Sequence, residues 1–123
     1  MDFLSILLFG ASDLSALETR LYFCSPLFLA FLENGQYDSA WSQIHMFPSQ
    51  TLQAATDLKT QILMPIHNSK YRISYHAWNA PLRDITKIYE NSNFDFTLIT
   101  PKIGQIISLP LDKIKFKNEK WWE

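Results

Sequence analysis

The chain has 123 residues, which is enough for one domain with a hydrophobic core and too few for several domains. Apolar residues make up 47% of the chain and charged residues 19%, and this mix excludes an intrinsically disordered protein. The formal net charge of −1 gives no general attraction to nucleic acid or to anionic membranes, so we expect no nucleic-acid partner.

The first 32 residues contain two apolar runs. The run over residues 1–10 lacks the basic start and the cleavage site of a signal peptide. The run over 21–32 is interrupted by Ser25 and Pro26 and is shorter than the roughly 20 residues that cross a bilayer. We therefore predict no transmembrane segment, and we interpret the runs as buried strands over 3–9 and 27–32, separated by a short helix over 12–20. Cys24 is the single cysteine, which favours a reducing, cytoplasmic setting.

Helix and strand signals alternate in the rest of the chain. A turn over 33–35 is followed by a helix that begins at Pro48 and carries a core-facing apolar stripe. A strand over 62–66 has Pro65 near its end, which indicates an edge strand or an irregular ladder. An extended piece over 71–76, a helix capped by Asn79 with Pro81 in its first turn, and strands over 94–100 and 106–109 complete the order. This order predicts an α/β fold.

The three histidines, His45, His67 and His76, each lie in a loop or at the boundary of an element, where functional residues tend to collect. His67 directly follows the strand over 62–66. His45 precedes the helix at Pro48, where backbone N–H groups can help to hold an anion. A structural or solvated role is commoner for any single histidine, but these three settings make them candidates for one shared site.

Several segments, in their order and spacing, resemble the C-terminal part of the metallo-β-lactamase-fold hydrolases that are similar to N-acyl-phosphatidylethanolamine phospholipase D. The resemblance extends over residues 32–109 and includes the two terminal tryptophans. Its matching segments are Glu-Asn-Gly-Gln-Tyr at 33–37, Ile-His-Met at 44–46, Leu-Met-Pro-Ile-His at 63–67, Tyr-His-Ala-Trp-Asn-Ala-Pro at 75–81, and Thr-Pro-Lys-Ile-Gly at 100–104.

The resemblance implies that residues 27–123 form the C-terminal half of a metallo-β-lactamase-type αββα sandwich, after a divergent N-terminal segment over 1–26. It implies a zinc-dependent hydrolase of phosphodiester or related bonds, with a phospholipid-like substrate for the parent family. In that family the histidine matching His67 is a zinc ligand, and those matching His45 and His76 lie close to the substrate. Zinc suits this chemistry because it makes water acidic enough to attack the substrate near neutral pH.

The sequence also departs from the family. The main metal motif, His-x-His-x-Asp-His, is absent from this sequence, and so is the next ligand histidine. Where a bridging aspartate is expected, Asp13 is a poor match and is better interpreted as a helix cap. After His67 the chain reads Asn-Ser-Lys-Tyr, where the family has Trp-Gly-Thr-Phe. Because a catalytic zinc takes three protein ligands, we predict a truncated or partial hydrolase with an incomplete metal site and no assured catalytic residue.

A non-catalytic α/β module that uses the half-fold for binding or assembly is the alternative. Half of a two-sheet sandwich would expose a large apolar face, which predicts a homo-oligomer or a complementary partner chain. The lysine-rich segment over 113–120 is interpreted as a solvated tail and not as a phosphate-binding patch.

Overall fold

The computed structural model describes residues 6–9, 28–35, 38–72, 74–108 and 118–123. These residues form a mixed α/β structure around a small parallel sheet, whose strands lie in the order β1 (Ile6–Phe9), β2 (Leu29–Glu33), β3 (Ile62–Ile66) and β4 (Thr97–Leu98). Helix α1 (Pro48–Asp57) connects β2 to β3, and helix α2 (Ala80–Glu90) connects β3 to β4. Parallel neighbours need such crossover connections, and the predicted α/β class is confirmed.

The two faces of the sheet pack against different residues. Ala30, Leu32 and Leu63 lie on the face that is covered by both helices, where they pack with Leu52 and Ile85. The alternate residues of the strands form a second, smaller cluster made of Leu29, Ile62 and Ile99, with Phe28, Phe31, Met64 and Ile107 packed against it. Burial on both faces is the reason that β2 and β3 are continuous apolar runs in the sequence.

The central elements agree with the sequence prediction. The strand over 62–66 and the start of α1 at Pro48 are confirmed. In β3, the residues that pair with β4 are Ile62 and Leu63. Pro65 lies beyond the residues that pair with β4, but β3 is an inner strand and its register with β2 continues without interruption through Pro65, so the predicted edge strand or irregular ladder is wrong. Helix α2 begins directly after Asn79, but the Asn79 side chain does not cap it and instead donates a hydrogen bond to the carbonyl of Trp122 (2.8 Å).

The strand predicted over 94–100 is shorter than expected and consists of the two residues of β4. Phe94 and Phe96 pack instead against Tyr89 of α2, with ring centroids 5.7 and 5.8 Å from the Tyr89 ring. The Tyr89 hydroxyl donates a hydrogen bond to the Phe96 carbonyl (2.7 Å). The predicted extended piece over 71–76 is also wrong, because its described residues include a bend over 74–76 and no strand.

The predicted strand over 106–109 is wrong for the residues that the structure describes, since 106–108 are not in a strand. The outer edge of β4 is bonded by the Asn118 side chain. The Asn118 amide accepts a hydrogen bond from the Thr100 N–H (2.8 Å) and donates one to the Leu98 carbonyl (2.6 Å). These backbone groups lie on the side of β4 that faces away from β3, so Asn118 closes that edge of the sheet.

The predicted helix over 12–20 and the cysteine at position 24 lie outside the described residues. Within the described part of the chain, neither α1 nor α2 has the length and apolar character that crossing a bilayer requires.

Helix α1 ends in a Schellman motif that carries a strained lysine. The Thr60 N–H donates to the Ala55 carbonyl (3.2 Å), and the Lys59 N–H donates to the Thr56 carbonyl (2.9 Å). Lys59 has a φ of 50°, a left-handed conformation that usually belongs to glycine at this position of the motif.

Replacing the exposed Lys59 by glycine is expected to raise the free energy of unfolding by about 0.5–1 kcal/mol. A residue with a Cβ is destabilised by about 1–2 kcal/mol in the left-handed conformation, and glycine avoids this cost. The greater conformational entropy of glycine in the unfolded chain offsets part of the resulting gain in stability. The control is Lys59→Ala, which shortens the side chain and retains the strain. Urea unfolding of both variants measures the difference, and equal stability of the two would contradict this account.

Candidate metal centre

Strands β2 and β3 end side by side, and a polar side chain lies at each end. The register pairs Glu33 with Ile66, so His67, the next residue, lies beside the end of β2. The Asn34 N–H donates to the Ile66 carbonyl (3.1 Å) and extends this alignment beyond the strands. Loops that follow buried strands commonly carry binding residues, and Glu33 and His67 lie at the carboxyl ends of two neighbouring parallel strands.

The loop before α1 brings His45 to the same edge. A turn that begins at Trp41 ends with the His45 N–H donating to the Trp41 carbonyl (2.9 Å), and the two rings lie 5.8 Å apart. The Gly35 N–H donates to the Met46 carbonyl (3.2 Å), which fastens this loop to the residues that follow β2. The Thr51 hydroxyl of α1 donates to the Glu33 carbonyl (2.6 Å). His45 is therefore held beside Glu33 by backbone contacts on both sides.

The Glu33 carboxylate lies next to two imidazoles. Its Oε1 atom contacts Nδ1 of His45 and lies 3.6 Å from Nδ1 of His67. The two histidine rings are 5.6 Å apart between centroids, at an interplanar angle of 71°. Each of the three residues offers one ligand atom, and these atoms all lie within 4.8 Å of one another. The Glu33–His45–His67 cluster therefore presents three metal-ligating groups to one point.

Burial decreases across the cluster towards solvent. The side chains of Glu33, His45 and His67 are 3%, 16% and 63% exposed. A carboxylate this deeply buried is costly unless positive charge or hydrogen bonds compensate for the lost water. The second oxygen of Glu33, Oε2, has no hydrogen-bond partner among the described residues. Glu33 thus has acceptor capacity that the described protein groups leave unused, beside a histidine that solvent can reach.

The backbone after β3 turns sharply at the site. His67 and Ser69 have φ values of 60° and 59°, in the left-handed region. The Asn68 side chain donates to the Ile66 carbonyl (2.8 Å) and supports this turn. Histidine enters the left-handed region more readily than most residues, but the conformation still costs free energy, and such strain clusters at functional sites. The turn keeps the His67 ring within reach of Glu33.

The donor set fits zinc. Two imidazoles and one carboxylate are a known ligand set of catalytic zinc, which leaves a fourth position for water or substrate. Tetrahedral coordination with bonds of about 2.0–2.2 Å puts ligand atoms roughly 3.3–3.6 Å apart. The 3.6 Å between Glu33 Oε1 and His67 Nδ1 is already close to that separation.

The structure brings together two of the three histidines that the sequence singles out. His45 and His67 belong to the cluster, and His76 is not among the described residues that form it. The Nδ1 atom of His76 lies 2.7 Å from the Ala77 carbonyl. Sequence reasoning missed Glu33, which it assigned to a turn. The signal that could have found it is a charged residue at the carboxyl end of a buried strand whose parallel neighbour ends at a histidine.

No family model matches the chain. The outer membrane protein RomA of Klebsiella pneumoniae is 52% identical to it over 66 residues, which cover 48% of this chain and 50% of that protein. An uncharacterised protein of Mycobacterium tuberculosis, Rv0906, is 29% identical over 100 residues, covering 79% of this chain and 26% of that protein. The Mycobacterium bovis protein Mb0930 gives the same values. The chain thus spans about half the length of RomA and about a quarter of the mycobacterial proteins.

Asn34, next to Glu33, joins the end of β2 to the start of α2. It is fully buried, and its side-chain N–H donates to the Pro81 carbonyl (2.9 Å). This bond connects segments that are 47 residues apart in the sequence.

Asn34→Ala is expected to lower the free energy of unfolding by about 2 kcal/mol, because it leaves the buried Pro81 carbonyl without this donor. The matched control is Asn91→Ala, which removes a bond of similar length (2.7 Å, to the Lys87 carbonyl) at an exposed position. Water can replace the partner there, so we expect a loss of no more than about 1 kcal/mol. Denaturant titration compares the two variants, and equal losses would contradict the structural role of Asn34.

Proposed function

We propose that this chain is part of a metal-dependent hydrolase with a metallo-β-lactamase-type αββα sandwich, and that His67 is one of its metal ligands. The substrates would be phosphodiesters or related esters, including phospholipid-like molecules. The observation that carries this proposal is the Glu33–His45–His67 cluster at the carboxyl edge of the parallel sheet. The cluster lies at the carboxyl ends of two parallel strands, and its residue types are ones that zinc sites use.

The architecture around the cluster supports the same proposal. Side chains alternate along β2, so Glu33 belongs to the side that carries Leu29 and Phe31, opposite the helices. A second sheet of a sandwich would pack on that face, where Phe28, Phe31 and Met64 are only partly buried. The cluster would then lie at the rim between two sheets, where a substrate can reach it.

The lengths of the relatives are consistent with a second half. The matched segment covers 26% of the Mycobacterium tuberculosis protein, so most of that protein lies outside the match. This remainder has room for the other sheet and for the His-x-His-x-Asp-His motif, which the present sequence lacks. The other metal ligands of the proposed hydrolase would come from such a segment.

Each residue of the cluster has a separate task in the proposed reaction. A zinc ion held by these residues would supply Lewis acidity and make a water molecule more acidic. The contact of Glu33 Oε1 with His45 Nδ1 holds the His45 imidazole at the site. His67 is largely exposed, so it would face a substrate that approaches from solvent.

The second candidate function is a non-catalytic module that uses the same half-fold for binding or assembly. The observation that favours it is the sheet face carrying Phe28, Phe31 and Met64, which are only partly buried and which a partner chain could cover. This candidate predicts that the chain folds but does not support hydrolysis, either alone or when it is joined to the rest of a relative.

A chimera separates the two candidates. In it, the matched segment of the Mycobacterium tuberculosis relative is replaced by the corresponding segment of this chain, and hydrolysis of bis(p-nitrophenyl) phosphate is measured with added zinc. We expect the relative and the chimera to be active. His67→Ala in the chimera should lower kcat/KM by at least about 100-fold, since even loss of an outer-shell partner of a metal ligand costs about 10–100-fold.

The control for this assay is Lys59→Ala, which lies at the C-terminal end of α1, near the start of β3 and so at the opposite edge of the sheet. It should retain the activity of the chimera. An active relative with a folded but inert chimera would favour the non-catalytic module. A zinc-loaded relative that does not hydrolyse the phosphodiester would contradict the proposed activity itself.

A further inference from the structure

We propose that Glu33, His45 and His67 together bind one divalent transition-metal ion, of the Zn²⁺ class, within this chain alone. The family resemblance implies a metal ligand at His67 and no ligand at the other two positions. The structure adds Glu33 and His45 beside it. Binding at this site requires neither hydrolysis nor a second chain, so it stands independently of the proposed function.

The charge and burial of Glu33 give the first reason. Its side chain is 97% buried, and Oε2 has no hydrogen-bond partner among the described residues. Leaving a buried carboxylate partly unsatisfied costs free energy, and a cation held between its oxygens and the imidazoles would remove that cost. The unsatisfied oxygen thus indicates a ligand independently of the grouping of the three side chains.

The geometry gives the second reason. Nδ1 of His45 is in contact with Glu33 Oε1, and Nδ1 of His67 is 3.6 Å from the same oxygen. Coordination of one ion by these atoms requires His45 to move slightly away from Glu33 and His67 to move slightly closer. His67 is exposed and lies at the start of a loop, so this adjustment does not disturb the core.

The structure also holds the cluster in place without an ion. Hydrogen bonds from Thr51 to the Glu33 carbonyl, from Asn34 to the Ile66 carbonyl and from Gly35 to the Met46 carbonyl connect the three segments that carry the ligands. Such preorganisation lowers the entropy that ordering the ligands would otherwise cost on binding. An ion that binds the folded chain and not the unfolded chain stabilises the fold, so its binding is also measurable as a rise in melting temperature.

The ligand types determine the metal class. Two imidazole nitrogens and one carboxylate oxygen suit Zn²⁺ and neighbouring transition metals, whereas Ca²⁺ and Mg²⁺ prefer sites made of oxygen. The solvent-facing side of His67 gives the ion an entry path and leaves a coordination position for water. We therefore expect zinc to bind and magnesium not to compete with it.

The test is calorimetric titration of the complete chain with ZnCl₂, after dialysis against a chelator and in a form without a polyhistidine tag. We expect one zinc per chain and a higher melting temperature with zinc, and no effect of a large excess of MgCl₂. Glu33→Gln, His45→Ala and His67→Ala should each weaken zinc binding by at least about 10-fold, the smallest loss usual for residues that support a metal.

The controls remove one imidazole and one carboxylate outside the cluster. His76→Ala and Glu90→Gln should bind zinc as the unaltered chain does, because neither residue belongs to the group of ligand atoms. Circular dichroism without zinc checks that each variant folds. His67→Ala is the decisive variant, since its side chain is mostly exposed and its removal should leave the fold intact.

Zinc affinity that is unchanged in His67→Ala, or binding of several weak zinc ions that no substitution reduces, would overturn the inference. This result is distinguishable from failure of the proposed hydrolase. One zinc bound through the three residues upholds the inference even if the chimera is inert. An active chimera, combined with no zinc binding by this chain alone, contradicts the inference and leaves the proposed function in place.

Discussion

The pairing register of β2 with β3 is the constraint on which the candidate site depends. It places Glu33 opposite Ile66, and therefore places His67 beside the end of β2. A slip of one residue would turn every side chain of β2 to the other face of the sheet and would expose Ala30 and Leu32, which are buried against the helices. Packing of these apolar residues against α1 and α2 thus fixes the position of a polar site at the edge of the sheet.

Local sequence signals were sufficient to predict the two strands that pair in this register and the two helices that pack on them. Continuous apolar runs indicated β2 and β3, and the prolines at positions 48 and 81 indicated the first turns of the two helices. The strand predicted over 106–109 is absent from the described residues 106–108, and the outer backbone groups of Leu98 and Thr100 bond the distant Asn118 side chain. No periodicity in residues 106–109 contains that information.

The site was predictable only in part for the same reason. His45 and His67 were candidates because of their places at element boundaries, which can be read locally. Glu33 was assigned to a turn, since a glutamate followed by asparagine and glycine is a turn signal in any context. Its role depends on the register with β3 and on the loop that brings His45 back to β2. At this edge a buried carboxylate oxygen lacks a hydrogen-bond partner among the described residues, and His67 is in the left-handed conformation. Local violations of this kind are typical of functional sites in otherwise consistent folds.

The central claim is that one metal ion is bound by Glu33, His45 and His67 of this chain. X-ray absorption spectroscopy at the zinc edge of the zinc-loaded chain tests it most directly, because imidazole ligands give a distinct outer-shell scattering pattern. The account predicts a first shell of nitrogen and oxygen at about 2.0–2.2 Å with two imidazoles, falling to one imidazole in His67→Ala. A first shell with no imidazole, or an identical spectrum in His67→Ala, would contradict it.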